Sequence, residues 1–234
     1  MNYGVALTKV LSAQFAEDFL NGALYLNTCT YFSQLDGTDV VRSDPHDGVS
    51  EARQVAEIAI QDEKGDWIPI GGIQNPITFR SDDLLDLNIM CLYSMTNRPD
   101  DRFDARIYEF GDTAIFISDL PEFLRRVRTA AALSGWNIAH AMVEYIDPNV
   151  HDGYMGPLRK FHDYAYQNEF RFVFTTHERK PCRLNVGGLR DIAYAIPSSE
   201  IPAIWYRCMM RMMPNHQLQR THYSGRFPLP RAAE

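Results

Sequence analysis

Nothing in the 234-residue chain approaches the roughly 20-residue apolar run that a membrane helix needs. The first residues, "MNYGVALTKVLSAQFAEDF", lack a basic start followed by a long apolar stretch, so no signal peptide is expected. Cysteine is scarce: Cys29, Cys91, Cys182 and Cys208 stand far apart with no C-x-x-C spacing. That argues against a zinc knuckle or redox motif and for reduced thiols in a cytoplasm. H-E-x-x-H, G-x-S-x-G and G-x-x-x-x-G-K-[ST] are all missing, and with them the signatures of zinc proteases, α/β-hydrolases and P-loop enzymes. There is no internal repeat and no low-complexity linker. What is present is ordinary for a globular chain: 45% hydrophobic and 23% charged residues.

Charge is unevenly spread. Residues 1–120 hold 20 acids against 8 bases, whereas 121–204 hold 9 against 10. The last 30 residues carry 5 Arg and a single acid, Glu234. A net charge of −7 excludes a general nucleic-acid coat, which needs clustered positive charge, and leaves room for a local basic groove. We read one domain over 1–234, with 205–234 as a basic C-terminal extension that leaves room for a protein partner. The Met-rich "YRCMMRMM" suits a packed terminal helix.

Along the chain, "MNYGVALTKV" reads as a strand. "SAQFAEDFL" reads as a helix capped by Ser12 and stopped at Asn21-Gly22. "ALYLNTCTYF" is extended, and "SQLDGTDVVRSDPHDG" is a long irregular connection of the kind that often carries function. The spacing predicts two strands around Lys64-Gly65, a strand ending in "CLYSMT", and a hairpin around Gly111-Asp112. "DLPEFLRRVRTAAALSGW" is the strongest helix, with Asp119 as cap, Pro121 in the first turn and Gly135 as stop. "IAHAMVEYID" is a strand, and "RLNVGGLRDIAYAIPSSEIPAIWYRCMMRMM" closes the chain with a strand and a helix. Strands outnumber helices without alternating with them. The expected class is α+β, with mixed or antiparallel sheets and flanking helices.

The chemistry-bearing stretch is "YQNEFRFVF", 166–174. As a strand it puts Phe170, Phe172 and Phe174 on one face with Asn168, and Gln167, Glu169 and Arg171 on the other. Two polar side chains of a Q-x-E strand then stand about 6–7 Å apart, a workable spacing for gripping a ribose. The plain alternative is a surface ion pair between Glu169 and Arg171, worth under about 1 kcal/mol. In the long connection, Asp44, His46 and Asp47 could be drawn as metal ligands, but no fourth ligand has a recognisable spacing, so no metal is expected. Turns held by the Asp44 and Asp47 side chains are the simpler reading. Arg42 on the same loop suits a phosphate. Tyr3, Tyr25 and Tyr31 could stack on a ring or simply pack in the core. His162, just before the strand, could assist proton transfer, with a surface position the simpler reading.

Three of these pieces together resemble the ADP-ribosyltransferase fold, in particular its DNA-modifying toxins of the DarT type. "FLNGALYL" looks like the helix end and Asn-Gly turn that floor the NAD pocket. "CLYSMT" resembles the Ser-Thr-Ser element, and "YQNEFRFV" the late Gln-x-Glu strand. The likeness touches about 30 residues. It departs from the family in the first strand, where "YGVALTKV" offers Tyr3, Thr8 and Lys9 instead of a His or Arg. The chain also looks like bacterial and phage domains with a "G-x-L-Y" start and a late "E-F-R" strand, a likeness that brings no chemistry with it.

The first resemblance implies a split sheet and an enzyme, a toxin or a phage or defence effector, moving ADP-ribose from NAD to a protein or nucleic acid. Glu169 would be the catalytic carboxylate and Gln167 would orient the acceptor. Ser94 and Thr96 would hold the nicotinamide-side ribose, and Tyr25, Arg42 and Arg171 would bind the rest of NAD. The alternative is a non-enzymatic protein-binding or inhibitor module on a related fold. That reading expects Glu169 on an open face or in an ion pair, and a large apolar patch elsewhere.

Overall fold

The computed structural model describes residues 5–35, 42–96 and 102–212. Its frame is an eight-stranded sheet centred on β7 (Leu87–Thr96). One edge of β7 is paired along its length by β13 (Glu169–Thr175), which continues outward to β9 (Asn137–Met142). The other edge is shared by two strands. β2 (Ala23–Thr28) pairs Asn88 and Ile89, and β1 (Val5–Leu11) pairs Tyr93 to Thr96. Between them, at residues 90–92, that edge forks. Beyond β1 lie β8 (Thr113–Ile117) and β15 (Ala193–Pro197), and beyond β2 lies β14 (Cys182–Asn185). All of these pairings are antiparallel. The α+β class stands.

Alternation along β7 and β13 sorts the core. Leu92, Met90, Phe172 and Phe174 face a large apolar cluster with Leu7, Leu24 and Ile115. Onto it pack α1 (Ala16–Leu20) and α2 (Leu120–Leu133), the latter through Phe123, Val127 and Ala131. The Phe123 and Phe172 rings meet edge-on at 6.1 Å. α2 forms as its sequence dictates: the Asp119 carboxylate accepts from the Glu122 amide at 3.0 Å, and Pro121 sits in the first turn.

The opposite face is covered in patches. α3 (Ile201–Met212) packs Ile201, Ile204 and Trp205 onto Tyr93, Met95 and Phe116. A small sheet of β3 (Glu51–Arg53), β6 (Ile77–Phe79) and β11 (Gly153–Tyr154) covers the other end, with Val49, Ala52, Met155 and Phe161 beneath it. β10 (Glu144–Ile146) and β12 (Arg159–Phe161) pair in parallel at its flank. β4 (Ile58–Gln61) and β5 (Trp67–Ile70) form a separate two-stranded hairpin around the expected Lys64-Gly65 turn.

Several sequence expectations need correction. Residues 105–110 form a 3-10 turn, not the first arm of a hairpin. Gly111 follows it because a Cβ there would meet the Leu11 carbonyl carbon at 2.1 Å, so the glycine permits close approach to β1. Ser12 makes no side-chain cap. Asp112, from the neighbouring strand start, accepts from the Ala13 amide at 2.8 Å instead. The boundary drawn at 205 falls inside α3, where Trp205 is buried and donates to the Thr96 carbonyl at 3.1 Å. The rest of that extension, 213–234, lies outside the described residues, as does Tyr3.

Candidate functional site: a buried cluster of five charges

β13 begins at Glu169, so the alternation expected from 166 onward starts three residues late. Gln167 ends a 3-10 turn (His162–Gln167), and Asn168 bends the chain with φ 39 and ψ 54, a left-handed geometry that Asn tolerates. Gln167 therefore does not share the strand face with Glu169, yet it reaches the same cluster by another route. Lys160, at the centre of β12, donates to Gln167 Oε1 at 2.6 Å, to Glu169 Oε1 at 3.1 Å, and pairs with Asp44 Oδ2 at 3.1 Å. Those three acceptors use all three of its N–H bonds.

Arg171 is 0% exposed and equally filled. Nε and Nη2 donate to Glu169 Oε2 at 3.1 and 2.8 Å. Nη1 and Nη2 grip Asp47 Oδ1 and Oδ2 at 2.9 and 3.2 Å, and Nη1 also donates to the Pro157 carbonyl at 2.8 Å. Five contacts match the five N–H donors of a guanidinium. The ion pair between Glu169 and Arg171 is real, but it is not a surface pair: Glu169 is 8% exposed.

Three carboxylates here face two cations, and the acids respond differently. Burial alone would push Glu169 up, but Arg171, Lys160 and the Cys91 thiol together hold it well below the usual carboxylate range. Burial opposes the charge of Lys160, and Glu169 and Asp47 outweigh it, so its pKa rises. Asp44 goes the other way. Burial raises it, more than Lys160 can offset. Its Oδ1 accepts from the His46 amide at 2.9 Å, which is the side-chain turn expected at Asp44-Pro45. Asp47 does more than make a turn, because both its oxygens hold Arg171 across 124 residues of chain. The cluster fastens the 42–50 connection and the 155–167 segment onto the sheet.

The other candidate residues lie apart from it. Ser94 neighbours Tyr93, the register partner of Glu169, so it faces the opposite side of the sheet, and its buried hydroxyl has no partner among the described residues. Thr96 has the parity of Ser94. Arg42 donates to the Phe110 carbonyl at 2.7 Å and lies over that ring. Tyr25 stands on β2, 54% exposed, at the mouth of a cleft that opens at the fork of the sheet. His162 is exposed beside Asp163, as expected. Among the described residues no group of three or more His, Cys, Asp or Glu is placed to hold a metal ion. No helix among them is long and apolar enough to cross a membrane.

The arrangement defines an α+β protein with a forked, largely antiparallel sheet and an internal ion network. No family model matches the chain, and no curated protein or solved structure matches it either. Sequence reasoning missed Lys160 and the pairing role of Asp47. The i, i+3 acids of "DPHD" were the visible signal, since two carboxylates on a covered loop call for cations.

Proposed function

We propose that the chain is a non-enzymatic protein-binding module whose contact surface is one face of the β4–β5 hairpin. One observation carries this reading. Ile58 pairs with Ile70 and Ile60 with Ile68, so four isoleucines project from the same side. Ile60, Ile68 and Ile70 are exposed there. A two-stranded hairpin is marginal alone, and a contiguous apolar face left open marks a contact site. Glu57 precedes the first strand, and Asp62, Glu63 and Asp66 lie in the connecting turn, against Lys64 alone. That acidic rim disfavours a second copy of the same face and suits a partner with basic residues around an apolar centre.

The test is titration with two amphipathic helical peptides, one built from Lys and Leu, the other from Glu and Leu. The Lys/Leu peptide should bind, and Ile60→Ser with Ile68→Ser should weaken it at least tenfold. Equal binding of both peptides, or indifference to the double substitution, would remove the proposal.

ADP-ribose transfer from NAD is the second reading, favoured by the forked sheet. As folded, Arg171 and Lys160 have no donor left for a dinucleotide, and neither Glu169 nor Gln167 lines that cleft. NAD consumption that disappears in a folded Glu169→Gln protein would reinstate it.

A further inference from the structure

We infer that the fork between β1 and β2 is a binding site for a small aromatic carboxylate. Both strands lie along one edge of β7, and where they part they leave a cleft of about 190 Å³. Lys9 of β1 lines it. Its ammonium makes one hydrogen bond, to the Cys91 carbonyl at 2.8 Å in the gap itself. No carboxylate among the described residues lies within ion-pair distance of it, so two of its three N–H bonds are unused. Burial pushes the Lys9 ammonium below its ordinary pKa, Arg42 adds to that push, and Cys91 and Glu169 only partly offset it, so an anion seated beside it would favour the charged form. A half-buried cation with no counter-ion is a costly arrangement that an anionic ligand would relieve.

The rest of the cleft specifies the kind of anion. Tyr25 and Arg183 are register partners on β2 and β14 and so stand side by side on one face. Phe15, 54% exposed, is a second ring at the rim, and Met90 lines the interior. Arg183 is paired to Asp18 at 3.3 Å, in an exposed contact that holds little. Counting Lys9, Arg183 and Asp18, the cleft carries one net positive charge in a chain of net charge −7. The volume falls short of the roughly 300–1,000 Å³ of drug-sized sites, so it suits one ring bearing one carboxylate and not a dinucleotide.

The experiment is calorimetric or NMR titration of the full chain with benzoate, using benzamide as the neutral isostere and acetate as the anion without a ring. Benzoate should bind at least tenfold more tightly than either control. Lys9→Met should abolish that preference, and Tyr25→Ala, at an exposed position, should weaken benzoate several-fold with the fold intact. Equal affinity for benzoate and benzamide, no saturable binding at millimolar benzoate, or a folded Lys9→Met protein that still prefers benzoate would each overturn the assignment. The hairpin proposal is untouched by any of these outcomes, since it concerns a different surface.

Discussion

Two regions of this molecule invert the usual partition of residues. Beneath the 42–50 connection, charge is inside: Asp44, Asp47, Lys160 and Arg171 are all at most 3% exposed. On the β4–β5 hairpin, isoleucine is outside. The difference lies in what covers each face. The charged face of β13 is roofed by loop and small sheet, which must be held by something other than a deep apolar core. Reciprocal ion pairs hold it. The hairpin has no roof among the described residues, and its four isoleucines are not needed to fold anything beneath them. One region spends polar groups on self-assembly, and the other keeps apolar groups for an outside surface.

The largest expected effect comes from breaking the charged region. Arg171→Met removes five hydrogen bonds and leaves Asp47 and Glu169 buried with too little positive charge. A loss of about 3–5 kcal/mol is expected, read from the urea midpoint. Glu169→Gln should cost less, because the amide keeps the shape and one acceptor. If Arg171→Met unfolds at the wild-type midpoint, the cluster is not what holds the roof down.

Apolar truncation sharpens the contrast from the other side. Ile115, 0% exposed in the large apolar cluster, should cost about 2–5 kcal/mol as Ile115→Ala. Ile60→Ala on the hairpin should stay within about 0.5 kcal/mol, as surface substitutions do. The same change should lower the binding of an apolar fluorescent dye, which reports open hydrophobic surface. A hairpin isoleucine that costs as much as Ile115 would mean the face is covered in solution by the chain itself.

How far the sequence reveals these regions follows from the range of the interactions. α2 is written locally: a capping Asp, a first-turn Pro and a terminal Gly each act within a few residues, and the helix forms between them. The hairpin is equally local, since its turn and alternating isoleucines lie within 13 residues. The cluster is not. Arg171 meets Asp47 across 124 positions and Lys160 meets Asp44 across a comparable distance, so no window of sequence contains the pairing. Strand alternation rightly placed Glu169 and Arg171 on one face but could not say whether that face is wet or roofed. It failed at Gln167 because Asn168 adopts a left-handed turn, which an Asn before a strand permits but does not require. The fork was not legible either, as two strands sharing one edge of a third leave no periodic trace.

The smallest expected effect separates two acids inside the cluster by the sign of their pH dependence. Glu169 has a folded pKa well below its unfolded value of about 4.3. Its stabilisation is therefore complete above about pH 4.3 and is lost only as pH falls through the depressed folded value. Asp44 has a raised folded pKa, so the folded state binds its proton more tightly than the unfolded chain does. Its contribution falls as pH rises from about 3.9 to that raised value and is flat thereafter. Asp44→Asn removes this fall while leaving the amide carbonyl near Lys160. Chemical denaturation across mildly acidic pH should show wild-type stability drifting down relative to Asp44→Asn as pH rises, and at neutral pH the variant should lose least among the three acids. Were Asp44→Asn to run parallel to the wild type at every pH, the surplus negative charge would have to reside on Asp47 or Glu169, and Asp44 would not be the acid that burial penalises most.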